Sequence, residues 1–140
     1  MPGTCGSIAA FLLVLGIQKF FPGFADTQWR IVTALLLLIT GIWCIDFLLQ
    51  SGIYGNEQKD PQEIVIDEFA GYAVAIIGIG TDVFQLFVAL ILFRIFDIGK
   101  PPPIRRIERL PGGKGVMLDD IAAGFLACLV AQIFFTFWKE

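Results

Sequence analysis

The residues of this chain best equipped for chemistry are five carboxylates: Asp67, Glu68, Asp97, Asp119 and Asp120. They fall at the ends of three separate hydrophobic runs in a sequence that is otherwise apolar enough for a bilayer. A charge at the bilayer centre costs about 2.5–3.5 kcal/mol, so ionisable groups this close to hydrocarbon usually serve a function. Carboxylates brought together from several helices repel one another unless something positive stands between them. A divalent metal meets that need.

Several chemistries are excluded. The chain has no histidine, so it has no imidazole base, no phosphohistidine and no Ser-His-Asp triad. Cys5, Cys44 and Cys128 are odd in number and far apart, which argues against a disulfide framework or a zinc site. The basic residues form one short segment rather than a long face, which argues against nucleic acid as a partner. What remains is carboxylates, cations, hydroxyls and glycine-rich turns. Oxygen ligands of this kind suit Mg²⁺, which binds through a few carboxylates plus substrate phosphate.

The elements that must position these groups are membrane helices. Of 140 residues 56% are hydrophobic and only 16% charged, against about 25% charged in soluble domains. Mean hydropathy is +0.77. We read residues 1–140 as one integral membrane domain, an all-α bundle of about five transmembrane helices. The apolar runs cover residues 5–21, 31–49, 64–80, 83–96 and 117–138. A span needs about 20 apolar residues, so the second and fifth fit best. The third and fourth are short, are joined only by Thr81-Asp82, and form a tight hairpin; the fourth must borrow residues past Phe96. Met1 is followed by Pro2-Gly3-Thr4 with no basic leader, so no cleavable signal peptide is expected.

Loop charge orients the bundle. Residues 99–116 carry Lys100, Arg105, Arg106, Arg109 and Lys114 against Glu108 alone, and short loops rich in Lys and Arg stay cytoplasmic. Counting back places the N-terminus and residues 51–63 on the same side and the C-terminus outside. Arg30, at the outer end of the second span, is a counter-signal. This topology gathers every polar cluster at one surface: Thr4 and Ser7; Asp60, Glu63, Asp67 and Glu68; Arg94, Asp97 and Lys100; Asp119 and Asp120. The carboxylates took no part in deriving the topology, so their convergence is an independent check.

Spacing refines the picture. Asp67 and Gly71 share a helix face, as do Asp120 and Gly124. A glycine one turn from a carboxylate admits another helix or a ligand. Asp119 and Asp120 are expected in the first turn of their helix, where negative charge suits the dipole. Arg94 and Asp97, three apart, can simply pair. The turn from Gly112 to Gly115 can offer backbone N–H groups to a phosphate or serve only as a flexible helix entry.

Four stretches together resemble one family: Pro2-Gly3-Thr4-Cys5-Gly6-Ser7, Asp60-Pro61 through Asp67-Glu68-Phe69-Ala70-Gly71, Phe93-Arg94-Ile95-Phe96-Asp97 through Lys100-Pro101-Pro102-Pro103-Ile104-Arg105, and Gly112-Gly113-Lys114-Gly115 through Asp119-Asp120-Ile121-Ala122-Ala123-Gly124. In this order, over most of the chain, they resemble phosphatidylglycerophosphatase A. The resemblance implies a magnesium-dependent lipid phosphatase of the bacterial inner membrane, with a phospholipid substrate in the bilayer and an active site facing the cytoplasm. It implies removal of the terminal phosphate of phosphatidylglycerophosphate. Members of that family usually have residues before the Pro-Gly-Thr motif, which here follows Met1 directly.

On this reading Asp67, Glu68, Asp97, Asp119 and Asp120 are the catalytic and metal-binding set, with Asp60 a further metal ligand. Thr4, Ser7, Arg94, Lys100, Arg105, Arg106 and Lys114 are the groups for the substrate phosphate. Two routes stay open: attack by an Asp on phosphorus, or delivery of hydroxide by the metal. Two other classes compete. A CDP-alcohol phosphotransferase would carry several Asp in one stretch of a single helix. An ion- or proton-coupled transporter would place its carboxylates near mid-membrane, where only Asp46 is a candidate.

Overall fold

The computed structural model describes residues 2–53 and 64–138, in which all regular structure is helical. In chain order the helices are α1 (Pro2–Phe20), α2 (Thr27–Gln50), α3 (Ile66–Ala75), α4 (Val83–Gly99), α5 (Pro102–Glu108) and α6 (Gly112–Trp138), with a 3₁₀ turn at Pro22–Ala25 between α1 and α2. Among the described residues three helices are long and apolar enough to cross a membrane: α1, α2 and α6. The expected five spans are therefore corrected to three.

Length explains the difference. The 10 residues of α3 reach about 15 Å at 1.5 Å per residue, and the 17 of α4 about 26 Å, against a hydrocarbon core of ~30 Å. The third apolar run stays unbroken to Gly80 in sequence, yet its helix ends at Ala75. Gly78 then adopts φ +74° and turns the chain. Two carbonyls of this turn go to Arg30, which is 1% exposed. Its Nη1 donates to the Ile76 and Ile79 carbonyls at 2.5 and 2.7 Å, and its Nε to the Phe24 carbonyl at 3.2 Å. Backbone carbonyls without partners are costly where water is absent, so an arginine here stabilises the turn at which α3 stops halfway. Arg30 thus faces the protein interior, which removes its force as a sign of sidedness.

The α3–α4 unit is still a hairpin, joined through residues 76–82 rather than by Thr81-Asp82 alone, with the Tyr72 hydroxyl donating to the Leu86 carbonyl at 3.0 Å. Both of its ends lie at the same end of the bundle. Three spans plus this hairpin therefore leave the polar clusters on one surface, as five spans would. Helix α4 does run past Phe96, to Gly99, and Lys100 ends it in the left-handed region at φ +40°. The basic segment expected as a loop contains a helix, α5, opened by its prolines and anchored by fully buried Ile104.

Small residues set how closely the helices approach. Gly71 on α3 meets Gly124 on α6, backbone against backbone. A methyl on Gly71 would stand 2.7 Å from the Asp120 carbonyl oxygen and against the Phe93 ring, and one on Gly124 would overlap the Gly71 carbonyl. Overpacking of this kind costs about 1–3 kcal/mol. Ala123, Ala127 and Ala131 continue the seam down α6, all fully buried. Such stripes bring helices together where the lipid is as apolar as the core. Of the two uses open to these glycines, helix packing is the one seen. Large exposed apolar side chains such as Leu36, Ile39, Trp43 and Phe137 cover the outside.

Candidate functional site

Where α3 and α6 cross, their carboxylates meet. Asp67 and Glu68 lie in the first turn of α3, where the helix dipole favours negative charge. Asp120 comes from α6, one turn before Gly124. Ligand-capable oxygens of Asp67, Glu68 and Asp120 all lie within 4.8 Å of one another, and all three side chains are buried. The glycine contact makes this possible: with side chains at 71 and 124 the helices could not approach so closely. Asp97, at the end of α4, and Asp119 are further acidic neighbours of Asp120.

The start of α1 closes the cluster from another side. A methyl on Gly3 would collide with Glu68 Oε1, and one on Gly6 would lie 3.2 Å from Glu68 Oε2. Among the described residues Glu68 Oε2 is buried with no hydrogen-bond partner. A buried carboxylate oxygen left in that condition costs free energy. Three converging carboxylates with such an oxygen fit a divalent cation of the oxygen-binding kind.

Adjacent Asp119 and Asp120 have different surroundings. Asp119 Oδ2 accepts from Lys100 Nζ at 2.9 Å, and the same ammonium donates to Glu108 Oε1 at 2.6 Å. Burial works against the Lys100 charge, but hydrogen bonds and attraction from both carboxylates outweigh it and raise its pKa above the ordinary lysine value. Neither aspartate belongs to a first turn: α6 begins at Gly112 and has no acidic residue there. The expectation that they lie in the first turn is thereby corrected, since both stand about two turns inside the helix.

The remaining residues divide clearly. Arg94 Nη1 donates to Asp97 Oδ2, and its Nη2 reaches Thr4 Oγ1 at 3.5 Å. Arg94 and Asp97 do pair, beside the cluster. Ser7 is buried and its hydroxyl donates to the Gly3 carbonyl at 3.0 Å. Arg105, Arg106 and Lys114 are exposed. Asp60 lies outside the described residues. In the stretch Gly112 to Gly115, the Gly113 N–H donates to Asp46 Oδ1 at 2.6 Å, so that donor is already committed. Asp46 thus caps α6 from α2 instead of standing as a lone intramembrane charge.

The comparisons with known proteins bear on this geometry. The family model for phosphatidylglycerophosphatase A matches residues 1–135. The chain belongs to the phosphatidylglycerophosphatase A family. Proteins named phosphatidylglycerophosphatase A from Haemophilus influenzae and Escherichia coli are similar at 35% and 33% identity; the matches cover 92% and 91% of this chain and 76% and 70% of theirs. A Bacteroides thetaiotaomicron protein, provisionally named a phosphatidylinositol-3-phosphatase, is 32% identical over 94% of this chain and 82% of its own. No solved structure matches. Family membership makes the chain a phosphatase of phospholipid metabolism, and its apolar helices associate it with a membrane.

Three parts of the site escape sequence reasoning. The glycines at 3 and 6 make room for Glu68, the Lys100 bridge separates Asp119 from Asp120, and Asp46 caps α6. Only the last leaves a local trace, a Gly-Gly helix start that lacks a capping side chain of its own.

Proposed function

We propose that this chain hydrolyses phosphatidylglycerophosphate to phosphatidylglycerol and inorganic phosphate, with Mg²⁺, at the cytoplasmic face of a bacterial inner membrane. The observation that carries the reading is the meeting of buried Asp67, Glu68 and Asp120 at one end of a membrane bundle in a chain of this family. These three residues would hold the ion. When bound, Mg²⁺ neutralises phosphate charge and acidifies a coordinated water.

The chain's own residues supply positioning and charge, which dominate phosphoryl transfer. Asp97 is held in orientation by Arg94 and stands next to Asp120. Asp119 anchors Lys100 at the rim, and Lys100 and Arg94, each paired with an acidic neighbour of Asp120, are cations for phosphate oxygens. Exposed Arg105, Arg106 and Lys114 are more distant candidates for drawing an anionic headgroup to the surface.

Purified protein in detergent micelles with Mg²⁺ is expected to release phosphate from phosphatidylglycerophosphate at least about a hundredfold faster than from soluble glycerol phosphate. Confinement of the lipid at the surface replaces a search in three dimensions. No release from any lipid phosphate by folded protein would sink the reading. A preference for phosphatidylinositol 3-phosphate would keep a lipid phosphatase and change its headgroup.

Sidedness has its own test. In a chain without Cys5, Cys44 and Cys128, the substitution Glu108→Cys is expected to stay unlabelled by an impermeant thiol reagent in intact cells and to react after permeabilisation. Reaction in intact cells would put α5 and the carboxylates on the outside.

A further inference from the structure

Alongside the carboxylate site, an apolar groove of about 580 Å³ runs between α1 and α4, within the 300–1,000 Å³ typical of ligand sites. Its walls are Ile8 from α1 and Phe87, Ile91 and Ile95 from α4, and its mouth carries Thr4 and Arg94. From Arg94 at the mouth to Phe87 it follows α4 for about 10 Å, within the ~15 Å depth of hydrocarbon in one leaflet.

We propose that this groove holds one acyl chain of the lipid phosphate and thereby stands the headgroup over Asp67, Glu68 and Asp120. The proposal rests on the lipid-phosphatase reading above. Two observations select this occupant. First, the mouth is continuous with the site. Arg94 links Thr4 at the groove to Asp97 beside the cluster, and position 3 lies between Glu68 and Arg94 Nη2. Second, a guanidinium stands at the mouth: Arg94, held by Asp97 and Thr4, is the cation that an anionic headgroup above the acyl chain would meet. A second apolar hollow is lined, among the described residues, by Val130, Ile133, Phe134, Phe137 and Trp138, with no charged group among them.

Lipid tails are as apolar as the groove, so transfer into it brings little free energy. Its contribution is orientation. Filling it is therefore expected to harm long-chain substrate selectively. The test compares Ile8→Trp and Ile91→Trp, with Ile133→Trp as a lipid-facing control, on dioleoyl and dihexanoyl phosphatidylglycerophosphate in mixed micelles with Mg²⁺. The two groove variants should lose about tenfold more kcat/KM on the dioleoyl than on the dihexanoyl substrate, a fraction of what a ~1 Å misplacement can cost. The control should show no such split. Activity on the dihexanoyl substrate reports that each variant is folded.

A second measurement uses a dioleoyl analogue with a diazirine near one chain end. Its cross-links should concentrate in α1 and α4. Equal losses on both substrates, no loss on either, or cross-links spread evenly over α2 and α6 would overturn the groove assignment while leaving the phosphatase intact. Wild-type protein inactive on both substrates would instead overturn the reading of function, and the groove's occupant with it.

Discussion

Asp120→Asn is expected to lower phosphate release by about a hundredfold or more while the protein still inserts and folds, the scale seen when one preorganised electrostatic group is removed from an active site. Asn has nearly the shape of Asp, so the contact of Gly71 with the Asp120 backbone is untouched. What disappears is one of three charges brought within 4.8 Å. Asp67→Asn and Glu68→Gln should behave alike, because all three share one cluster. A purely structural role predicts the opposite pattern: three buried like charges repel, so removing one would stabilise the fold and spare turnover. The measurement is therefore paired, phosphate release and thermal unfolding of metal-free protein. Near-normal turnover with a raised unfolding midpoint would remove Asp120 from the active site. Asp97→Asn divides its two roles in the same way. If turnover survives, Asp97 serves only as the partner of Arg94.

Removing divalent metal should be as severe. Protein dialysed against chelator is expected to lose its activity, and added Mg²⁺ to restore it. The cause is the concentration of buried acid: Asp67, Glu68 and Asp120 meet, with Asp97 and Asp119 close behind. Lys100 is divided between Asp119 and Glu108, and Arg94 is engaged with Asp97. Mg²⁺ should also stabilise the fold, by about 2.7 kcal/mol at a hundred times its dissociation constant. Asp120→Asn should lose most of that gain, a readout independent of turnover. Phosphate release at full rate in excess chelator would remove the metal from the mechanism.

Much of the candidate site is legible in the sequence. Hydropathy made the chain a helical membrane protein, because a bilayer imposes one requirement on every residue it touches. The carboxylates fell at run ends, and loop charge brought those ends to one surface. Gly71 and Gly124 stood one turn from their aspartates, because helical period is local and can be counted.

What the sequence left open depends on which faces meet. The run from 64 to 80, apolar but for Asp67-Glu68, reads as a span, yet α3 stops at Ala75 and the turn beyond it gives its Ile76 carbonyl to Arg30, 46 residues earlier in the chain. No local pattern carries a bond across that distance. Asp119 and Asp120 are equivalent in type and position along the chain. Tertiary structure alone sends one to Lys100 and the other to Asp67 and Glu68, because neighbouring side chains on a helix point about 100° apart and so meet different partners.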